Sequence, residues 1–169
     1  MNKKIKNILE YAMRMERDAK EFYTYNLDNV SSSELKKLFE ELVEMEESHY
    51  EALEQMHKRL EIQKPPASIS WVVDNVEREV NTSIIADNSD LIADSNAISD
   101  LSIIRLAYLM ENDFALFYKN ASEKVEDEGA KNFLLELAKW EEQHMQMFKN
   151  RYEKLLQNQW EDLTDIVFE

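Results

Sequence analysis

Two stretches, Leu42-Val-Glu-Met-Glu46-Glu-Ser-His49 and Leu137-Ala-Lys-Trp-Glu141-Glu-Gln-His144, decide how this chain is read. Each places a Glu three residues before a His inside a run of helix-forming residues. On a helix, positions i and i+3 share a face. Glu46 therefore points with His49, and Glu141 with His144. The two stretches lie 95 positions apart, and sliding the sequence by that amount aligns far more than these motifs. Ala12, Met15, Glu16, Asp18, Phe22 and Tyr23 meet Ala107, Met110, Glu111, Asp113, Phe117 and Tyr118. Lys36, Glu41 and Leu42 meet Lys131, Glu136 and Leu137 without a gap. Each half is one helical hairpin carrying one Glu and one Glu-x-x-His.

Apolar residues at helical spacing outline the hairpins. The first helix runs from about Lys3 to Leu27 through Ile5, Ile8, Leu9, Ala12, Met15, Ala19 and Phe22. Ser31, with Glu34 three residues on, reads as a capping box opening a second helix that reaches about Glu61. Pro65 and Pro66 end any helix there. A third helix is expected from about Leu101, capped by Ser99 or Asp100. It carries Ile104, Ala107, Leu109, Met110, Phe114 and Phe117 and fades at Lys124 to Glu128, with Gly129 at the break. The fourth runs from about Ala130 to Leu156. A short tail then carries Trp160, Leu163 and Val167, which suit one extra docked turn. Between the halves, about residues 63–100 form a crossover too long for a hairpin loop, with an apolar face of Trp71, Val72, Val76 and Val80. The expected fold is all-α: one four-helix domain over 1–169, two repeated hairpins (about 3–61 and 101–156) joined by a long crossover.

Depth within the bundle brings the motifs together. Glu16 lies about 11 residues before its turn and Glu46 about 13 after it, so at about 1.5 Å per residue they reach one level. The same holds for Glu111 and Glu141. Glu16, Glu46, His49, Glu111, Glu141 and His144 thus converge among Met15, Ala19, Met45, Met110, Phe114 and Trp140. Four carboxylates there without compensation would be very costly or would keep their protons. Two divalent cations neutralise them with both His uncharged. Glu54 and His57 repeat the spacing by chance in an acid-rich chain. Their 95-shifted positions are Lys149 and Tyr152, about two turns from the convergence level, so His57 is set aside. Tyr23 and Tyr118 return to nearly the face of Glu16 and Glu111, either as hydrogen-bond donors to a ligand carboxylate or as core aromatics with satisfied hydroxyls. Asp18, Asp113, Glu47 and Glu142 face elsewhere.

Composition narrows the remaining classes. The 169 residues include one Gly, two Pro and no Cys, and 33% are charged with a net charge of −15. The missing cysteines exclude disulfides, thiolate zinc sites, iron–sulfur clusters and a cysteine nucleophile. The acidic balance argues against nucleic acid. No apolar run approaches the roughly 20 residues that span a membrane, and Met1 to Glu10 does not read as a signal peptide. A cytoplasmic protein is expected.

One Glu from each of two helices plus Glu-x-x-His from each of the other two resembles the ligand set of ferritin-like di-iron carboxylate proteins. Within them, Glu16-Arg-Asp18-Ala-Lys-Glu21-Phe22-Tyr23 and its echo from Glu111 to Tyr118 resemble the rubrerythrin branch, over about residues 5–155 apart from the crossover. Two departures stand out. Full-length rubrerythrins carry a rubredoxin-like iron–cysteine domain, which a chain without cysteine cannot form. Many also place an extra Glu one turn after the helix-3 ligand, where this chain has Phe114, with Ala19 as its mate. The resemblance implies a di-iron oxidoreductase that reduces peroxide or oxygen with electrons from a separate protein donor. Glu16 and Glu111 would be terminal ligands, Glu46 and Glu141 bridges, and His49 and His144 caps, in a homodimer that can exchange helices. A ferroxidase, a dimanganese catalase and a bundle that binds metal only for stability are the alternatives; iron or manganese suits the oxygen-rich ligand set.

Overall fold

The computed structural model describes residues 3–61 and 95–168. Among these residues the chain is all-α: α1 Lys3–Asn26, α2 Ser33–Glu61, α3 Ser95–Ser122 and α4 Glu128–Phe168. α1 packs on α2 and α3 on α4, so each repeat closes as its own hairpin. The crossover residues 62–94, including Trp71, Val72, Val76 and Val80, lie outside the described residues. Among those described, no helix is long and apolar enough to cross a membrane.

Local chemistry explains the turns. Asn26 ends α1: its amide donates back to the Phe22 carbonyl at 2.9 Å, and Val30 N–H returns to the Asn26 carbonyl at 3.1 Å. Val30 is buried, and its repeat mate Val125 packs partly buried against the core at the other turn. The cap of α2 falls one residue later than expected. Leu35 N–H donates to the Ser32 hydroxyl at 3.3 Å, satisfying one of the orphan amides of the first turn. Ser31 is occupied elsewhere: its N–H and hydroxyl both donate to the Asp100 carboxylate, at 2.9 and 2.7 Å. Asp100 is accordingly not a cap. It lies inside α3, which opens at Ser95 rather than near Leu101, and it ties the first turn to the second hairpin. Asp127 caps α4, accepting from Ala130 N–H at 2.7 Å. Gly129 therefore sits in the first turn of α4 and not at the break.

The fourth helix also exceeds its expected end. No breaker follows Leu156, and α4 continues for 41 residues against 28 in α3. The tail is an extension of α4 and not a separate docked turn. Trp160 on it is 62% exposed, and the Leu163 and Val167 side chains lie outside those described.

The core is a ladder of layers along the bundle. Leu9, Leu53, Ile104 and Leu137 are fully buried, and Ala12, Ala19 and Ala107 keep neighbouring helices close. Towards the α1–α2 turn, Tyr23, Phe39 and Phe148 form an aromatic cluster with centroids 5.2–6.1 Å apart. Truncating a fully buried leucine such as Leu137 to Ala would cost about 2–5 kcal/mol. Leu109 departs from the expected inward set. It is 44% exposed, and Leu106 and Leu116 on the same helix are exposed as well.

Candidate metal centre

In mid-bundle the apolar ladder is interrupted. Glu16, Glu46, Glu111 and Glu141 have no exposed surface, and His49 and His144 are 2% and 3% exposed. All six residues singled out from the sequence meet here, one Glu from each of α1 and α3 and a Glu–His pair from each of α2 and α4. Their ligand atoms form two overlapping groups, each with all atoms within 4.8 Å of one another. One group is Glu16, Glu46, His49 and Glu141; the other is Glu46, Glu111, Glu141 and His144. Glu46 and Glu141 belong to both.

The contacts follow the repeat. His49 Nδ1 lies 3.2 Å from Glu46, 3.1 Å from Glu141 and 3.5 Å from Glu16. His144 Nδ1 lies 3.3 Å from Glu141 and 3.7 Å from both Glu46 and Glu111. The two imidazoles are stacked 5.7 Å apart, and the Trp140 indole covers His49 at 5.4 Å with planes 10° apart. Met15, Ala19 and Phe114 are buried, while Met45, Met110 and Trp140 pack partly buried against the core. Phe114 and Ala19 leave the site without a further carboxylate one turn along α3 or α1.

The two tyrosines cross between hairpins. The fully buried Tyr23 hydroxyl on α1 donates to Glu111 Oε1 on α3. The Tyr118 hydroxyl on α3 donates to Glu16 Oε1 on α1. Each thus orients the carboxylate of the opposite repeat and makes up part of its lost solvation.

Those donors do not suffice. Glu16 Oε2, Glu46 Oε1, Glu111 Oε2, both Glu141 oxygens and His144 Nδ1 are buried with no hydrogen-bond partner. Such groups are rare in native proteins and call for a bound ion, a bound water or a strain that function exploits. The protonation equilibria agree. Burial, with the charges of Glu141 and Glu111, holds the Glu46 carboxyl well above the ordinary range. Burial pushes Glu111 up to about 7. Burial also presses on Glu141, but the His49 and His144 rings outweigh it and hold Glu141 low. For His144, burial is outweighed by Glu111 and Glu141, which raise it to about 10. His49 is raised in the same way, chiefly by Glu141. A metal-free cluster thus gathers protons to offset its own charge, and divalent cations can take their place.

The remaining sequence readings also find their places. His57 stands apart, its Nε2 3.7 Å from Glu10 and 3.9 Å from Glu61, outside both groups. Asp18, Asp113 and Glu142 are exposed. Glu47 is not simply solvated: Lys20 Nζ donates to its Oε2 at 2.6 Å across α1 and α2. Periodicity alone does not register this pair, because Lys20 and Glu47 fall outside the inward set.

A family model described as Rubrerythrin matches residues 7–152. No curated protein matches the chain, and no solved structure does. The matched span covers both hairpins and all six clustered side chains, and the chain belongs to the rubrerythrin family.

Proposed function

We propose that this protein is a di-iron oxidoreductase that reduces hydrogen peroxide or oxygen with electrons supplied by a separate protein. The observation that carries the reading is the pair of overlapping ligand groups sharing Glu46 and Glu141, with buried oxygens left unpartnered. Two cations at the two groups would be bridged by the shared carboxylates. Glu16 and His49 would complete one coordination sphere, and Glu111 and His144 the other. Hard carboxylate oxygens with two imidazoles suit iron or manganese and disfavour soft ions. Two such ions held there in the reduced state would supply two electrons, enough with two protons to take hydrogen peroxide to water or oxygen to hydrogen peroxide.

The chain's own residues provide the setting. Tyr23 and Tyr118 fix the orientation of Glu111 and Glu16 through their hydroxyls. Trp140 holds the His49 ring in plane by stacking. Phe114, Ala19 and Met15 keep bulk water from the cluster, so the charges act in a medium of low dielectric constant. The 169 residues include no cysteine to form an iron–cysteine relay, which supports assigning the electron supply to a separate protein. The setting we assign is the cytoplasm, and the assembly a homodimer, consistent with the exposed leucines of α3.

The test is a peroxidase assay on iron-loaded protein with a reduced iron–sulfur or flavin donor. Peroxide consumption that requires the donor supports the proposal. Turnover of peroxide without any donor, in manganese-loaded protein only, would make the protein a catalase. Iron oxidation followed by storage in a multi-subunit shell would make it a ferroxidase.

A further inference from the structure

The cluster is nearly symmetric in its ligands, but the residues beside it differ between the two hairpins. Between α1 and α2 lies a cleft of about 710 Å³ whose lining runs from Tyr25, 76% exposed, down to the fully buried Glu16 and Glu46. At about 30 Å³ per molecule of liquid water, this is ample for a ligand of two or three heavy atoms. Volume is therefore not what closes the site. Neither carboxylate at the floor has any exposed surface, so the last layer of side chains does.

Two contacts in that layer reach from α1 to α2. Lys20 pairs with Glu47 at 2.6 Å. Arg17 donates to the Tyr50 hydroxyl at 3.2 Å and lies over its ring at 5.4 Å. The positions 95 further on are Ala115 for Lys20, Glu142 for Glu47, Asn112 for Arg17 and Met145 for Tyr50. Neither contact can form in the second hairpin between these mates. Where the repeats agree, they agree on the metal cluster and on Glu47 and Glu142; where they part, the first hairpin has Arg17, Lys20 and Tyr50 and the second Asn112, Ala115 and Met145.

We propose that the α1–α2 cleft is the route by which small ligands of the peroxide class reach the cluster, and that the Lys20–Glu47 pair is its latch. The proposal rests on the di-metal reading above. Both latch residues are long, half-exposed side chains, with 38% and 46% of their surface open to solvent. Such a pair is weak and exchanges with water readily. The pair lines the same cleft as Glu16 and Glu46, so swinging it aside would widen the way to them without moving a helix. Its charges also cancel, so the mouth neither repels an anion nor traps one.

The probe is azide, a three-atom anion whose binding to an oxidised di-iron site is read by absorbance. Metal content is measured before azide is added, and failure of the protein to load iron would end both readings at that step. On loaded protein, Lys20→Ala and Glu47→Ala should each speed azide association by about two- to fivefold, the scale on which losing a half-exposed ion pair changes an open fraction. Dissociation should speed by a similar factor, leaving the affinity less changed. Glu142→Ala, the matched change in the second hairpin, should leave the rate alone. If charge alone matters, Lys20→Ala will slow azide while Glu47→Ala speeds it. That pattern, no change in either variant, or an equal response in Glu142→Ala would overturn the latch.

Discussion

Replacing Glu46 by Gln should separate the stability of the bundle from its capacity for metal. The two side chains have nearly the same shape, and only the charge and its proton differ. In metal-free protein, burial and the neighbouring carboxylates hold the Glu46 pKa far above the ordinary range, so Gln imitates the form already present. A raised folded-state pKa contributes stability that is complete below the unfolded value and fades as pH rises through the folded one. Gln has no such decline. At pH 8 the metal-free variant should equal the parent or exceed it by up to about 3 kcal/mol, the scale of one unsatisfied buried polar group. For a chain of this length, each kcal/mol moves Tm by about 2–4 °C. Metal should reverse the order. An ion at a hundred times its Kd contributes about 2.7 kcal/mol, so two ions would raise the parent by about 5 kcal/mol. The variant, lacking one of the two carboxylates common to both groups, should lose most of that rise. Thermal unfolding followed by circular dichroism, in chelator and then in Mn(II), reads both effects. A variant about 2 kcal/mol less stable without metal, yet with its metal response intact, would make Glu46 a structural residue and not a ligand.

Further outcomes follow from the same geometry. Tyr118→Phe removes the donor to Glu16; metal affinity should fall about 10–100-fold while the far-ultraviolet spectrum stays unchanged, as titration with Mn(II) would measure. Metal-free protein should lose stability as pH rises from about 4.5 to about 10, because Glu111, raised from 4.5 to about 7, and His144, raised from 6.5 to about 10, both hold protons in the fold that the unfolded chain releases earlier. Glu141, held low, acts oppositely and only in acid. Urea unfolding at several pH values tests this, and calorimetry in buffers of different ionisation enthalpy should register proton release on metal binding. Asp100→Ala frees Ser31 from both its hydrogen bonds; it should cost about 1–3 kcal/mol in urea unfolding with metal content unchanged.

The repeat made the centre of this protein legible. Because two hairpins carry the same pattern, six residues far apart in sequence could be set at one depth from residue counts alone, and the chance pair Glu54–His57 could be discarded. Signals without a repeat were harder to read. Three serines precede Glu34, and spacing favoured Ser31 as the cap. Only the partner of Ser31, Asp100, explains why Ser32 caps instead, and that contact spans 69 positions. Asp100 itself looked like a helix start because aspartate is a strong cap, but it is a buried acceptor within α3. The length of α4 was underestimated because amphipathic pattern weakens where a helix outruns its partner. The same weakness hid the orientation of Leu109, since α3 is apolar on more than one face. The Lys20–Glu47 pair is not legible in the sequence, because both are ordinary surface residues until α1 and α2 are side by side.

Two ions held by six side chains are the centre of the proposed chemistry. Elemental analysis of protein prepared without chelator, beside the double variant His49→Ala/His144→Ala, tests it most directly. The parent should hold about two irons or manganeses per chain, with a near-complete loss in a variant that still folds. A parent that holds no metal after anaerobic incubation with Fe(II) or Mn(II), or a variant that holds as much as the parent, would contradict it.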